Sequence, residues 1–470
     1  MNQKVQRILV YGNTIAASYT ALSLDVALDT NIDIVLVEPK AIAYNDILFG
    51  GIAPPNFYDF HYKLGVSEPD LLLKTNTGFS FGTEYKNWGP SRKNWIQCYH
   101  LPFATDHGVD FHQLVNRLNL NMDEYLVSAV AAKYGVFAHP PTDNSNNALS
   151  RAEYGYHFST QRLKALLREK LSTHRVNVIQ ATIVDVMTDE QHIKEVTLDN
   201  GSVVDAQLFI DCYGPDSPLL TTLAGEFEHQ LAKQYIHNIE KNTAVDAACR
   251  VAQGTPNGYQ VEWSLQDERH TLELAKKFDV KSPKHARAQN ITTGHRDCAW
   301  HGNCIGIGHS VCIAEPLTDA PMRLLHADIQ RLMELFPIDV DMAVERKEFN
   351  RRYQNDVESS LLFHQAFFDY RTDGKALASK LDRKITQYLH RGVLVSFDLE
   401  LFNKEDWTIQ HAGMGRTPMF HDRLVDELDL ALVDEHFKRQ KAGLRHLVSK
   451  MPPYADYLHK LLIYLRNKQF

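Results

Sequence analysis

The first forty residues constrain the fold more than any other part of the chain. A short β-branched run from Arg7 to Val10 breaks at Gly12 and Asn13, then continues as a small-residue stretch, Thr14 to Leu24, that suits a helix. A second apolar run, IDIVLVE (Ile32 to Glu38), ends in an acid. Strand, tight turn, helix, strand and acid is the order of a dinucleotide-binding βαβ unit. In that order Glu38 is the expected acceptor for the ribose hydroxyls of an adenosine.

Two further apolar strands fit the same sheet. One is VDAQLFIDCYG, ending in Asp211, Cys212 and Gly214; the other is NCIGIG, Asn303 to Gly308. Strands so far apart imply an insertion between them. The expected fold is α/β (α+β overall), a Rossmann-like nucleotide-binding domain with an inserted region and a helical C-terminal region. The predicted boundaries are 1–55 with 155–220 and 290–325 for the discontinuous nucleotide domain, 56–154 and 221–289 for the insertion, and 326–470 for the helices. The insertion carries scattered aromatics, Trp88, Trp95 and Trp263 among them, and 139–147 reads as a surface loop for its prolines and asparagines.

Composition limits the function classes. The chain has 470 residues, 44% hydrophobic and 23% charged, with a formal net charge of −8, and its mean hydropathy of −0.33 is that of a soluble globular protein. It has no basic surplus and no basic block, which argues against a nucleic-acid partner. Six cysteines without regular spacing do not form a disulfide framework. A polar start, MNQKVQR, and the lack of a long apolar run predict a cytoplasmic protein without a membrane partner.

Five ordered segments carry a resemblance. They are NFYDFHYKLGVSEPDLLLKTNTGFSFGTEYKNW (Asn56 to Trp88), YGYHFSTQRLKALLREKL (Tyr154 to Leu171), LFIDCYGPDSPLL (Leu208 to Leu220), WHGNCIGIGHSVCIAEPL (Trp300 to Leu317), and the C-terminal pair HAGMGRTPMFHDRLVD and LVSKMPPYADYL. Together they resemble the flavin-dependent tryptophan halogenase family over essentially the full length. The resemblance implies FAD, reduced by a separate reductase, and an aromatic, indole-like substrate. In active members a flavin hydroperoxide oxidises halide to hypohalous acid. A lysine then positions the halogen, and a glutamate supports the cationic transition state.

Residue by residue, the carry-over is incomplete. The family's lysine position is Ser80, which cannot hold a hypohalite through a charged hydrogen bond. The glutamate position after Glu315, Pro316 and Leu317 is Thr318, the following serine is Asp319, and the halide-binding Thr-Gly is Ala320-Pro321. Proline offers no N–H to a chloride, and Asp319 would repel one. The aromatic signature associated with suppressing direct oxygenation is also lost, reading Tyr259, Val261, Trp263 and Ser264.

On the cofactor side, the family's turn falls on Tyr11, Gly12, Asn13, Thr14, Ile15 and Ala16, so its three fingerprint glycines are Tyr11, Asn13 and Ala16. The family's Gly-x-Gly-Glu reads Ile47, Leu48, Phe49 and Gly50. Glu38, Asp211, Gly308 and Pro316 remain family-like, so Gly12, Asn13, Thr14, Ala16, Glu38, Gly308 and Pro316 are the candidate FAD contacts. Ser80, Thr318 and Asp319 are the candidate catalytic positions.

Other residue sets have bland and sharp readings. His295, Cys298, His301 and Cys304 are zinc-capable in type, but three-residue spacing on a strand approach does not converge on one side. His100, His107 and His112 lie in the inserted region as candidate general bases, in a chain with 23 histidines. Two functions then compete, and the first is the expected one, because variant turns with few glycines do hold nucleotides when the loop is re-shaped. One is an FADH2- and oxygen-dependent oxidation or hydroxylation of an aromatic substrate. The other is a degenerate relative acting as a binding module, a homodimer or the partner of an active paralogue.

Overall fold

The computed structural model describes residues 4–468 apart from 29, 41–45, 91, 103–104, 107, 142–148, 190, 225–226, 242–247, 279–286, 338, 369–378, 397 and 399. Most of the predicted 139–147 loop, and His107, lie outside the described residues. A six-stranded sheet is built in the order Asn177–Gln180, β2 (Asp33–Glu38), β1 (Arg7–Tyr11), Leu208–Asp211, Cys304–Gly306 and Trp300–His301. All its pairings are parallel except the last, and Val10 lies in register with Leu36 on one side and Ile210 on the other.

A central strand of a parallel sheet is covered on both faces, which is why β1 is a continuous apolar run, buried from Ile8 to Tyr11. Helix α1 (Ile15–Ala27) is buried from Ile15 to Asp25 and lies against the helices Thr160–Leu171 and Ala320–Glu334. Its alanines and serines allow that close approach on all sides.

The larger sheet has eight strands in the order Cys312–Ile313, Gln289–His295, Glu228–Lys241, Glu268–Ala275, Gly258–Ser264, Arg250–Thr255, Thr83–Trp88 and Lys93–Gln97. Its inner face carries Trp263, Tyr259, Trp88 and Trp95, all buried. Within 290–325, the residues that join the nucleotide-type sheet are Trp300–His301 and Cys304–Gly306; Gln289–His295 and Cys312–Ile313 pair with the eight-stranded sheet. From Ala320 onward the described regular structure is helical. One contiguous apolar core spans both sheets and these helices. No described helix is long and apolar enough to cross a membrane.

Candidate functional site

The site begins at the C-terminal ends of β1 and of the strand Leu208–Asp211, where an open α/β sheet presents its ligand crevice. Gly12, between the fingerprint positions Tyr11 and Asn13, sits where a side chain has no room. Its φ is +149°, and a Cβ there would lie 2.6 Å from the Cys212 carbonyl oxygen. Thr14 caps α1, accepting from the Ala17 amide at 3.2 Å and donating to the Cys212 carbonyl at 2.9 Å. The other turn residues are engaged by neighbouring segments of the chain. Tyr11 is buried in a stack on Tyr213, with ring centroids 5.0 Å apart. Asn13 donates through Nδ2 to the Pro39 carbonyl at 2.9 Å, and Lys164 donates to the Asn13 carbonyl.

A helix N-terminus carries free amides and a positive dipole end, which is what a pyrophosphate would use. Here that place is taken. Asp46, on the single 3-10 turn Asp46–Phe49, accepts the Ile15 amide through Oδ2 at 3.0 Å. Burial pushes its carboxyl up to about 7, against the opposing pull of the nearby Lys164 ammonium and the Ile15 amide. Three residues on, the Phe49 ring is buried and stacked on His309 at 4.1 Å. A Cβ on Gly308 would lie 3.1 Å from Ala16 Cβ and 3.7 Å from that same Phe49 ring. Glu38 is 2% exposed and accepts from Arg168 and Gln180. The expected ribose acceptor is therefore an internal ion-pair partner.

These residues do not fit an FAD molecule. The first-turn amide meets the chain's own carboxylate, the strand-end acid is buried under an arginine, and side chains fill the former glycine positions. The retained family features have internal partners too. Asp211 orders its turn by accepting from Ser310 Oγ at 2.8 Å and the Tyr213 amide at 3.1 Å. Glu315 pairs with Lys233.

At the family's catalytic positions, Ser80 ends the strand Gly78–Ser80, which pairs with Gly155–His157. Its hydroxyl closes on Gly82, donating to the carbonyl at 3.1 Å and accepting from the amide at 3.2 Å. Thr318 accepts the Ala320 amide at 3.2 Å, just before the following helix. Asp319 is paired with Arg323 at 3.0 Å, and Arg323 is held bidentately by Asp406 at 3.2 and 3.3 Å. Thr318, Asp319, Arg323 and Asp406 line a cavity of about 20 Å³, room for roughly one water. Ser80 is not among its lining residues, so the structure does not bring Ser80 together with Thr318 and Asp319 around one space.

Two residues central to this arrangement carry no sequence signal. Arg250 is fully buried, donating to the carbonyls of Gly50 (3.3 Å), Pro316 (2.9 Å) and Leu317 (2.5 Å) and to Thr83 Oγ1 (3.2 Å). Pro316 in turn sits where a Cβ on Gly50 would be, 2.6 Å from its own Cβ. Asp46 is the second. Of the histidines, His112 is buried and donates through Nε2 to the Gly392 carbonyl at 2.7 Å, and burial lowers its pKa. His100 lies between Glu153 (2.7 Å) and Glu405 (3.0 Å), whose hydrogen bonds raise it to about 9. In the His295 to Cys304 run, His301 bonds the Cys298 carbonyl at 3.2 Å and Cys304 is buried in the sheet.

The fold and this site place the chain in a family. The sequence model of the tryptophan halogenase family matches residues 7–430, and the chain belongs to that family, whose members are flavin-dependent. Among characterised relatives it is 24% identical to tryptophan 7-halogenase RebH of Lentzea aerocolonigenes, over 98% of this chain and 99% of RebH. It is 23% identical to tryptophan 6-halogenase ThaL of Streptomyces albogriseolus, over 79% of this chain and 78% of ThaL. The fold superposes on BrvH, a flavin-dependent halogenase from Brevundimonas sp. BAL3, with a TM-score of 0.88 at 22% identity, covering 97% and 99% of the two chains. Xcc4156, a flavin-dependent halogenase from Xanthomonas campestris, gives 0.88 at 20%, covering 97% and 98%.

Proposed function

We propose that this chain is a catalytically degenerate member of the tryptophan halogenase family, a binding protein or partner of an active paralogue rather than a halogenase. The observation that carries this reading is the Asp46 side chain on the Ile15 amide, which puts the chain's own carboxyl group where a cofactor phosphate would have to sit. The Asp319–Arg323–Asp406 cluster supports it from the substrate side, because a cavity of about 20 Å³ is far below the roughly 300 Å³ at which small-molecule sites begin. The second reading, an FADH2- and oxygen-dependent hydroxylase of an indole-like substrate fed by a separate reductase, draws on the preserved Gly12 turn and its φ of +149°. It requires Asp46, Phe49 and Tyr11 to leave their buried positions together. The test is to supply FADH2 through a flavin reductase, with oxygen, bromide and either indole or tryptophan, and to analyse products by mass spectrometry. No brominated or hydroxylated product above a protein-free control is expected; turnover of either kind would overturn the proposal.

A further inference from the structure

A cleft of about 470 Å³ opens between the helix Leu430–Ser449 and the segment from His100 to Pro102. That volume lies within the range of small-molecule sites, roughly 300–1,000 Å³. His100, Arg151, His436 and Arg439 line it, and none of its described lining residues is acidic. The sign is reversed locally in a chain whose formal net charge is −8.

The bases differ in what already holds them. His100 lies between Glu153 and Glu405, which answer its charge within the protein. Arg439 reaches Glu435 only at 4.0 Å, the outer limit of an ion pair, and Arg151 acts on Glu405 only through its field. His436 precedes Arg439 by three residues on the same helix, so the two share a face. The cleft therefore offers a ligand two guanidinium forks and a ring nitrogen. A carboxylate, with one charge and two oxygens, would leave one guanidinium unanswered. The dianion of a phosphate monoester carries both charges and has a third terminal oxygen, and phosphate pairs with guanidinium bidentately. Tyr125, Val127 and Leu444 supply apolar lining, which inorganic phosphate would leave in contact with water but a hydrocarbon stem would cover.

We propose that this cleft binds an organic phosphate monoester, its phosphate on Arg151 and Arg439 and its stem along Tyr125, Val127 and Leu444. The proposal stands whether or not the flavin site functions, and its test needs no turnover.

The test is isothermal titration of the full chain at about pH 8, above the second ionisation of a phosphate monoester at about pH 6. The probe is n-butyl phosphate; inorganic phosphate lacks its stem, and hexanoate carries a similar stem on a single charge. Saturable one-to-one binding of n-butyl phosphate is expected, with each of the other two weaker by about fivefold or more. Arg151→Gln combined with Arg439→Gln is expected to weaken it at least about tenfold with melting near that of the wild type. Arg439→Gln alone, at an exposed position, should weaken it about threefold, and this variant decides the matter if the double one fails to fold. Flotation with phosphatidate vesicles but not with phosphatidylcholine vesicles, reduced in Arg439→Gln, would assign the phosphate to a lipid headgroup. Saturable binding of n-butyl phosphate without flotation assigns it to a soluble ester. The proposal is overturned if neither the ester nor the vesicles bind, or if hexanoate or inorganic phosphate binds as tightly as the ester. It is overturned equally if affinity survives loss of both arginines in a variant that melts normally.

Discussion

A carboxylate placed on a helix's first free amide does locally what a bound phosphate does, neutralising the positive end of the dipole and satisfying an orphan donor. Asp46 does this from a buried position, and the cost shows in its titration. The folded carboxyl ionises near 7 against an ordinary value of 3.8. Between those values the folded chain holds a proton that the unfolded chain has lost, so this residue's contribution to stability falls as pH rises. Asp46→Asn keeps the acceptor but cannot ionise. Its melting temperature relative to wild type is expected to climb from about pH 4 to about pH 7 and level off above; a constant difference across that range would contradict the assignment. Arg323 is the opposite case, a buried cation between two carboxylates. Arg323→Met strands Asp319 and Asp406 and should cost about 3–5 kcal/mol in denaturant unfolding. Replacing all three with apolar residues should recover most of that loss.

At the scale of elements, the βαβ unit keeps its backbone and has exchanged its contents. β1, α1 and β2 were legible because central strands of a parallel sheet are continuous apolar runs, and the apolar runs ending at Asp211 and Gly306 were readable for the same reason. The eight-stranded sheet was far less so. Its strands at 228–241 and 250–275 mix long polar faces with buried aromatics, and one of its pairings joins segments more than a hundred residues apart, Arg250–Thr255 beside Thr83–Trp88. The lost glycines were plain in the sequence, but the groups that now meet the turn were not. Asp46 is one acid before an apolar turn, and Arg250 one arginine among many, until the fold sets them against Ile15 and the Pro316 carbonyl. An element-scale prediction follows from Asp46. Tyr11→Gly with Asn13→Gly restores two fingerprint glycines yet leaves the carboxylate on the Ile15 amide. Flavin fluorescence should therefore show no gain in FAD affinity for this double variant; a clear gain would mean that the glycines alone were limiting.

Over the whole molecule, on the proposed reading, the two ends of the family's reaction path are closed by different means. A carboxylate, a ring stack and a buried arginine close the cofactor end, whereas an ion-pair cluster around one water-sized cavity closes the substrate end. Asp211, Glu315, Pro316 and Leu317 hold internal turns and pairs, as the proposed reading requires of residues kept without catalysis. The most direct measurement is an equilibrium titration of the wild-type chain with oxidised FAD, followed by flavin fluorescence and the visible spectrum, repeated anaerobically with reduced FAD. The account predicts no saturable binding of either redox form in the micromolar range. Stoichiometric micromolar binding of either form would contradict it, and would mean that Asp46 and Phe49 give way to the cofactor.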